Sequence, residues 1–166
     1  AVPRLVIADD VGIGKTIEAG LILRELMDRG EIEAFAVLCP PHLVEQWVTE
    51  LHTRFGIKAV AVTSGSAARL ERSLPVSQSL FEAYPFTVVS LDYIKAEKRR
   101  DGFARSCPDL VIVDEVHACV GTGAGKQQRF GLLTELVRDP ARRLILLTAT
   151  PHSGDEEAFA RLLSLV

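Results

Sequence analysis

An apolar run that passes straight into a glycine–lysine loop constrains this chain more than any other feature. It spans Arg4 to Gly20 and reads R-L-V-I-A-D-D-V-G-I-G-K-T-I-E-A-G. Leu5, Val6, Ile7 and Ala8 lack helical spacing, so they predict a short strand buried on both faces of a parallel sheet. Gly12 and Gly14 let backbone approach a ligand without Cβ obstruction, and the N–H groups opening the next helix point into that space. Lys15 adds an ammonium for the phosphates, and Thr16 supplies a hydroxyl where the phosphate-loop pattern places a magnesium ligand. Together Asp10, Val11, Gly12, Ile13, Gly14, Lys15 and Thr16 form the candidate nucleotide loop. The general pattern G-x-x-x-x-G-K-[ST] asks for glycine where Asp9 stands, so this stretch needs support from a second nucleotide motif elsewhere.

Such a motif follows the most apolar run, Leu110-Val111-Ile112-Val113, which leads into Asp114-Glu115-Val116-His117. A buried strand ending in paired carboxylates sets Asp114 where it can hold Mg²⁺ through water, and Glu115 where it can orient and deprotonate an attacking water. Two solvated acids at a strand end are the plain alternative, and the earlier G-I-G-K-T argues against it. A last predicted strand, Arg142 to Leu147, delivers Thr148-Ala149-Thr150-Pro151 to the same edge, where open parallel sheets bind ligands. Gly121, Gly123, Gly125 and Lys126 imitate a second phosphate loop. No strand precedes them and Gln127 replaces the required Ser or Thr, so they read as a surface loop.

Between these motifs the periodicity alternates. Ile17, Leu21, Ile22, Leu23, Leu26 and Met27 make a helical apolar surface that Gly30 closes, and Gly20 within it implies close packing on the sheet. Ala34–Cys39 predicts the second strand. After Pro40-Pro41, Leu43, Val44, Trp47, Val48, Leu51 and Phe55 follow helical spacing as far as Gly56, which makes Trp47 a core residue in preference to a base-stacking one. Further strands are expected at Ile57–Val62 and Thr87–Leu91. Weak helical character appears at Ala67–Leu74 and Val76–Ala83. Asp92–Arg105 reads as one polar helical connector whose Lys95, Lys98, Arg99, Arg100 and Arg105, interleaved with Glu97 and Asp101, suggest a solvated face in preference to DNA phosphate contacts. Gln127–Val137 and Asp155–Val166 are the final helices. The implied fold class is α/β, a three-layer αβα arrangement around a mostly parallel sheet.

Composition sets the bounds. The 166 residues are 48% hydrophobic, enough for one packed domain covering 1–166. Apolar runs fall short of the ~18 residues of a membrane span, and no basic leader opens the chain, so a cytoplasmic protein is expected. The formal charge of −3 argues against a free-standing nucleic-acid binder while permitting a locally basic cleft. Cys39, Cys107 and Cys119 have no C-x-x-C partner and read as reduced thiols near sheet edges. Ala1 in place of methionine and the apolar end at Val166 suggest a piece of a larger chain.

The segments A-D-D-V-G-I-G-K-T-I-E-A-G, V-L-C-P-P-H-L-V-E-Q-W, V-I-V-D-E-V-H and L-L-T-A-T-P-H-S-G resemble, in order, motifs I, Ia, II and III of superfamily-two helicases. The Swi/Snf branch is most similar. Its loop reads A-D-E-x-G-x-G-K-T, so Asp9 is the expected residue and Asp10 stands in for glutamate. I-E-A-G and P-H-S-G look like the bacterial, RNA-polymerase-associated type. The resemblance implies the first RecA-like lobe of a DNA-dependent ATPase that uses ATP and Mg²⁺ to move along duplex DNA and remodel protein–DNA complexes, with RNA polymerase or another DNA-bound complex as partner. It assigns catalysis to Lys15 and Glu115, metal binding to Thr16 and Asp114, and coupling to Thr148, Thr150 and His117. For His117 a structural hydrogen bond is the competing role. Pro41, His42 and Ser90 fall where such lobes touch the DNA backbone. Val116 replaces the commoner alanine of D-E-A-H. The second lobe, which carries an arginine worth about 10³–10⁵ in rate, is expected outside this chain, so the lobe alone should hydrolyse ATP poorly. A catalytically silent docking module and an RNA helicase lobe remain the alternatives.

Overall fold

The computed structural model describes residues 4–9, 13–119 and 123–149, together with 157, 160 and 164. The strands are β1 (Arg4–Asp9), β2 (Phe35–Cys39), β3 (Val60–Val62), β4 (Phe86–Ser90), β5 (Leu110–Val113) and β6 (Arg143–Ala149). The helices are α1 (Ile13–Asp28), α2 (Val44–Phe55), α3 (Ala67–Arg72), α4 (Leu80–Ala83), α5 (Leu91–Ile94), α6 (Glu97–Arg105) and α7 (Ala124–Val137). The strands form one sheet in the order β1-β6-β5-β2-β4-β3, and every pairing is parallel. This is the expected α/β architecture with helices on both faces.

Alternation along the strands divides the core in two, because successive side chains point to opposite faces. Phe35, Val37, Cys39, Leu110, Ile112, Ile145 and Leu147 join Ala19 and Leu23 of α1 and Val44, Trp47 and Leu51 of α2. On the other face Ala36, Leu38, Val111, Val113, Leu144 and Leu146 join residues of α3 to α7, including Leu80, Ile94, Phe103, Leu132 and Leu136. Strands that serve two apolar faces at once must be near-continuous hydrophobic runs, as β2 and β5 are.

Both glycine stops act as predicted. Gly30 and Gly56 take φ of 69° and 65°, the left-handed region that favours glycine. After Gly56, the Ile57 N–H donates to the Leu51 carbonyl at 2.9 Å. That bond closes α2 and draws Ile57 away from the ladder, which is why β3 starts at Val60 and not at Ile57.

Other expectations need correction. β1 is not buried on both faces: it pairs only with β6 among the described residues, and Leu5 is 39% exposed. Leu21, placed on the apolar surface of α1 by its spacing, is 58% exposed. The polar connector is two helices, since Ala96 is extended at ψ 134° and separates α5 from α6. α7 begins at Ala124, three residues before the position that its polar start suggested, because Leu132, Leu133 and Leu136 anchor the whole helix on the sheet. β6 continues to Ala149, held by β1 beyond the end of β5. The close approach at Gly20 is to α2, not to the sheet: a Cβ there would lie 2.2 Å from Cε2 of Phe55. The closing helix expected at Asp155–Val166 lies largely outside the described residues.

All three cysteines are free. Cys39 ends an inner strand, so it lies at the carboxyl edge of the sheet and not on a lateral one. Burial pushes the thiols of Cys107 and Cys119 up to about 12. They therefore stay protonated, and iodoacetamide at pH 8 is expected to label them slowly in the native protein and rapidly in denaturant. Equal rates in the two states would contradict their burial. At the helix contact, Gly20→Val is expected to destabilise by about 1–3 kcal/mol in denaturant unfolding. Adding Phe55→Ala should recover part of that loss in a double-mutant cycle, and strict additivity would show that the two residues do not touch.

Candidate nucleotide site at the carboxyl edge of the sheet

Parallel pairing brings the carboxyl ends of β1, β6, β5, β2 and β4 to one edge. Asp9 of β1 is in register with Ala149 of β6, and Leu38 of β2 with Val113 of β5. The two sequence motifs thus leave the same edge on either side of β6. α1 is the next described element after β1, and its first turn carries no acidic side chain to oppose an anion at the helix N-terminus. Lys15 and Thr16 are 7% and 9% exposed, lodged in that first turn. Asp10, Val11 and Gly12, and likewise Thr150, lie outside the described residues.

Asp114 is held from three directions. Its N–H donates to the Leu38 carbonyl at 2.8 Å, which extends the β5–β2 ladder one residue past the strand. Its Oδ1 accepts from the N–H of Glu115 at 2.8 Å. Its Oδ2 accepts from Nε1 of Trp47 at 2.8 Å. Strand alternation explains the last contact: Leu110 and Ile112 face α1 and α2, so Asp114, two residues further on, faces them too.

Glu115 has φ of 49°, the one non-glycine residue at positive φ among the described residues. A left-handed glutamate costs about 1–3 kcal/mol, and such strain persists where the surroundings impose it. Asp114 on one side and the 3-10 turn Val116–Cys119 on the other fix the backbone here. Cys39 adds a second sign of the local charge: burial first, then the carboxylates of Asp114 and Glu115, push its thiol far above the ordinary value. The acidic pair therefore sits beside the end of β2 as well as at the end of β5.

Thr148 belongs to the opposite face by the same alternation and is fully buried. Its Oγ1 lies 3.4 Å from Nδ1 of His117, which joins the end of β6 to the turn after the acidic pair. Pro41 and His42 are exposed in the 3-10 turn Pro41–Leu43 that leads into α2. Ser90 is 3% exposed at the start of α5. Two basic residues of the connector are engaged within the fold, while Lys98 and Arg105 are exposed. Arg99 stacks on Tyr93 at 4.3 Å from the ring centroid, and Lys95 joins Arg129 around Asp92.

This arrangement fits a magnesium-bound nucleotide. No group of three or more His, Cys, Asp or Glu among the described residues forms a metal cage. Magnesium suits such a place, since it is commonly held by one or two protein oxygens with water and substrate phosphates. The Asp114 carboxylate and the Thr16 hydroxyl are oxygens of that kind. The side-chain contact missing from the sequence reading is that of Trp47 with Asp114. The reading gave Trp47 to the core, and it is 2% exposed, but its indole also holds Asp114. The available signal was the chemistry of tryptophan itself, whose buried N–H needs an acceptor.

A family model described as SNF2-related domain matches residues 2–166, and the chain belongs to that family. Among curated proteins it is 33% identical over 162 residues to the RNA polymerase-associated protein RapA of Proteus mirabilis, and 32% identical to RapA of Yersinia enterocolitica. Each alignment covers 96% of this chain and 16% of the relative, so the chain spans about a sixth of the length of those proteins. Among solved structures, the Sulfolobus solfataricus SWI2/SNF2 ATPase core in complex with dsDNA superposes with a TM-score of 0.70 at 17% identity, covering all of this chain and 31% of that one. The ATPase core domain of the same organism gives 0.62 at 19% identity. The resemblance to the Swi/Snf branch and the RecA-like fold are both borne out.

Replacing the strained residue should separate stability from chemistry. Glu115→Gly is expected to raise stability by about 1 kcal/mol in denaturant unfolding, because glycine adopts positive φ without penalty. An unchanged or lowered midpoint would show that the left-handed backbone is not strained.

Proposed function

We propose that this chain is the first RecA-like, ATP-binding lobe of a DNA-dependent ATPase that translocates on duplex DNA and remodels protein–DNA complexes. The observation that carries this reading is the convergence on one sheet edge of Lys15-Thr16, Asp114-Glu115 and Thr148 in a chain of the SNF2-related family. Lys15 and the N–H groups opening α1, with Asp10, Val11, Gly12, Ile13 and Gly14, bind the phosphates of ATP. Thr16 and Asp114 hold Mg²⁺, which neutralises phosphate charge when bound. Glu115 orients and deprotonates the attacking water. The His117–Thr148 contact, together with Thr150, passes the state of the nucleotide site to the DNA side.

Partners follow from similarity. Duplex DNA is supported by the Sulfolobus core that was solved with dsDNA. RNA polymerase is supported by the RapA relatives, which are named for their association with it. The exposed Pro41 and His42 are better placed than the buried Ser90 to meet a DNA backbone first. No described helix is long and apolar enough to cross a membrane, and a cytoplasmic location is part of the proposal. A second lobe that supplies an arginine lies elsewhere in the full-length protein.

The test is ATP hydrolysis by the full-length protein with and without duplex DNA. Duplex DNA is expected to stimulate turnover, and Lys15→Ala or Glu115→Gln should each lower the stimulated rate at least about a hundredfold. Turnover that ignores DNA and survives both substitutions would overturn the proposal. Stronger stimulation by RNA than by duplex DNA would move it to the RNA helicases.

A further inference from the structure

We propose that Trp47 is a positioning residue for Asp114: its indole N–H fixes the carboxylate plane and so sets how well the site uses magnesium. The inference rests on the reading of Asp114 as the magnesium-holding carboxylate. It adds to that reading a residue 67 positions away in sequence, on a different element and outside the acidic motif.

The carboxylate can turn about its Cβ–Cγ bond unless both oxygens are held. The ladder bond from the Asp114 N–H to Leu38 fixes the backbone but not that rotation. Oδ1 accepts from the Glu115 N–H, and Oδ2 accepts from Trp47. An ionised carboxylate has roughly four lone-pair sites, so one on each oxygen is taken and one on each remains for waters around a metal. Removing the indole donor leaves Oδ2 without that anchor and the plane held on one side only.

Trp47 suits this role because it is itself immobilised. It is 2% exposed and sits in the apolar cluster formed by α1, α2 and the sheet. It is the fourth residue of α2, just after the turn Pro41–Leu43, whose Pro41 and His42 are exposed. A tryptophan that merely fills the core would tolerate any ring of similar size without effect on magnesium.

The experiment uses the full-length protein and a fluorescent ATP analogue whose binding is followed without turnover. Trp47→Phe keeps an aromatic ring and removes the donor. Benzothienylalanine at position 47 keeps the bicyclic shape with sulfur in place of N–H, so that lost packing is separated from the lost hydrogen bond. Both variants are expected to need about tenfold more Mg²⁺ for half-maximal tight binding of the analogue, as metal sites do when an outer hydrogen-bond partner is removed. Binding of the analogue in EDTA should be unchanged. If both variants keep the wild-type magnesium dependence while Asp114→Asn loses it, the role of Trp47 is overturned and the magnesium site stands. If Asp114→Asn also keeps the wild-type dependence, the reading of Asp114 falls, and the role of Trp47 falls with it. Weakening of equal size in EDTA and in magnesium would mark Trp47 as structural only and overturn the inference.

Discussion

β6 lies hydrogen-bonded in parallel between β1 and β5, and the geometry of the candidate site depends on that placement. Parallel strands all end at one edge, so three segments distant in sequence leave the sheet together. Lys15 and Thr16 arrive after β1, Thr148 near the end of β6, and Asp114 with Glu115 after β5. An antiparallel β6 would send Thr148 to the opposite edge. The two-faced burial of the inner strands maintains this order, because a slip of one residue would exchange the two apolar clusters.

The same alternation assigns tasks to the two faces. Asp114 continues the set of Leu110 and Ile112 and meets α2 through Trp47. Thr148 continues the set of Leu144 and Leu146 and meets His117. The Trp47–Asp114 and Thr148–His117 contacts therefore leave the sheet on opposite sides, and Glu115, strained at positive φ, sits at the turn between them. A strained residue is retained where its neighbours over-determine it. Here the bonds around Asp114 and the turn that begins at Val116 do so.

Legibility followed the range of the interactions. The strand and helix on either side of the G-I-G-K-T motif, the apolar strand before the acidic pair and the glycine stops depend on neighbours within a few residues, and each was readable. The start of α4 was misplaced at Val76: Ser79 and Glu82 form a capping box that the S-x-x-E spacing advertises, but the serine-rich composition around it masked the signal. The exposure of Leu5 was not readable, because an apolar run does not say whether its strand lies at the margin of a sheet, and that of Leu21 was not, because helical spacing does not say how wide a face of α1 its neighbours cover. The break at Ala96 was also hidden, since the polar residues around it suit a helix and tertiary packing on α7 and β4 decides where the turns go.

Local chemistry in the sequence determined that this chain has a G-I-G-K-T motif after an apolar strand, an acidic pair on a buried strand and an α/β fold of the Swi/Snf kind. Each of those features is written in residues adjacent along the backbone. Tertiary structure alone decided which side chain meets which across the sheet: Trp47 with Asp114, His117 with Thr148, and Phe55 against Gly20. Those pairs depend on strand order and register, which arise from the packing of two apolar faces at once and leave no mark at any single position.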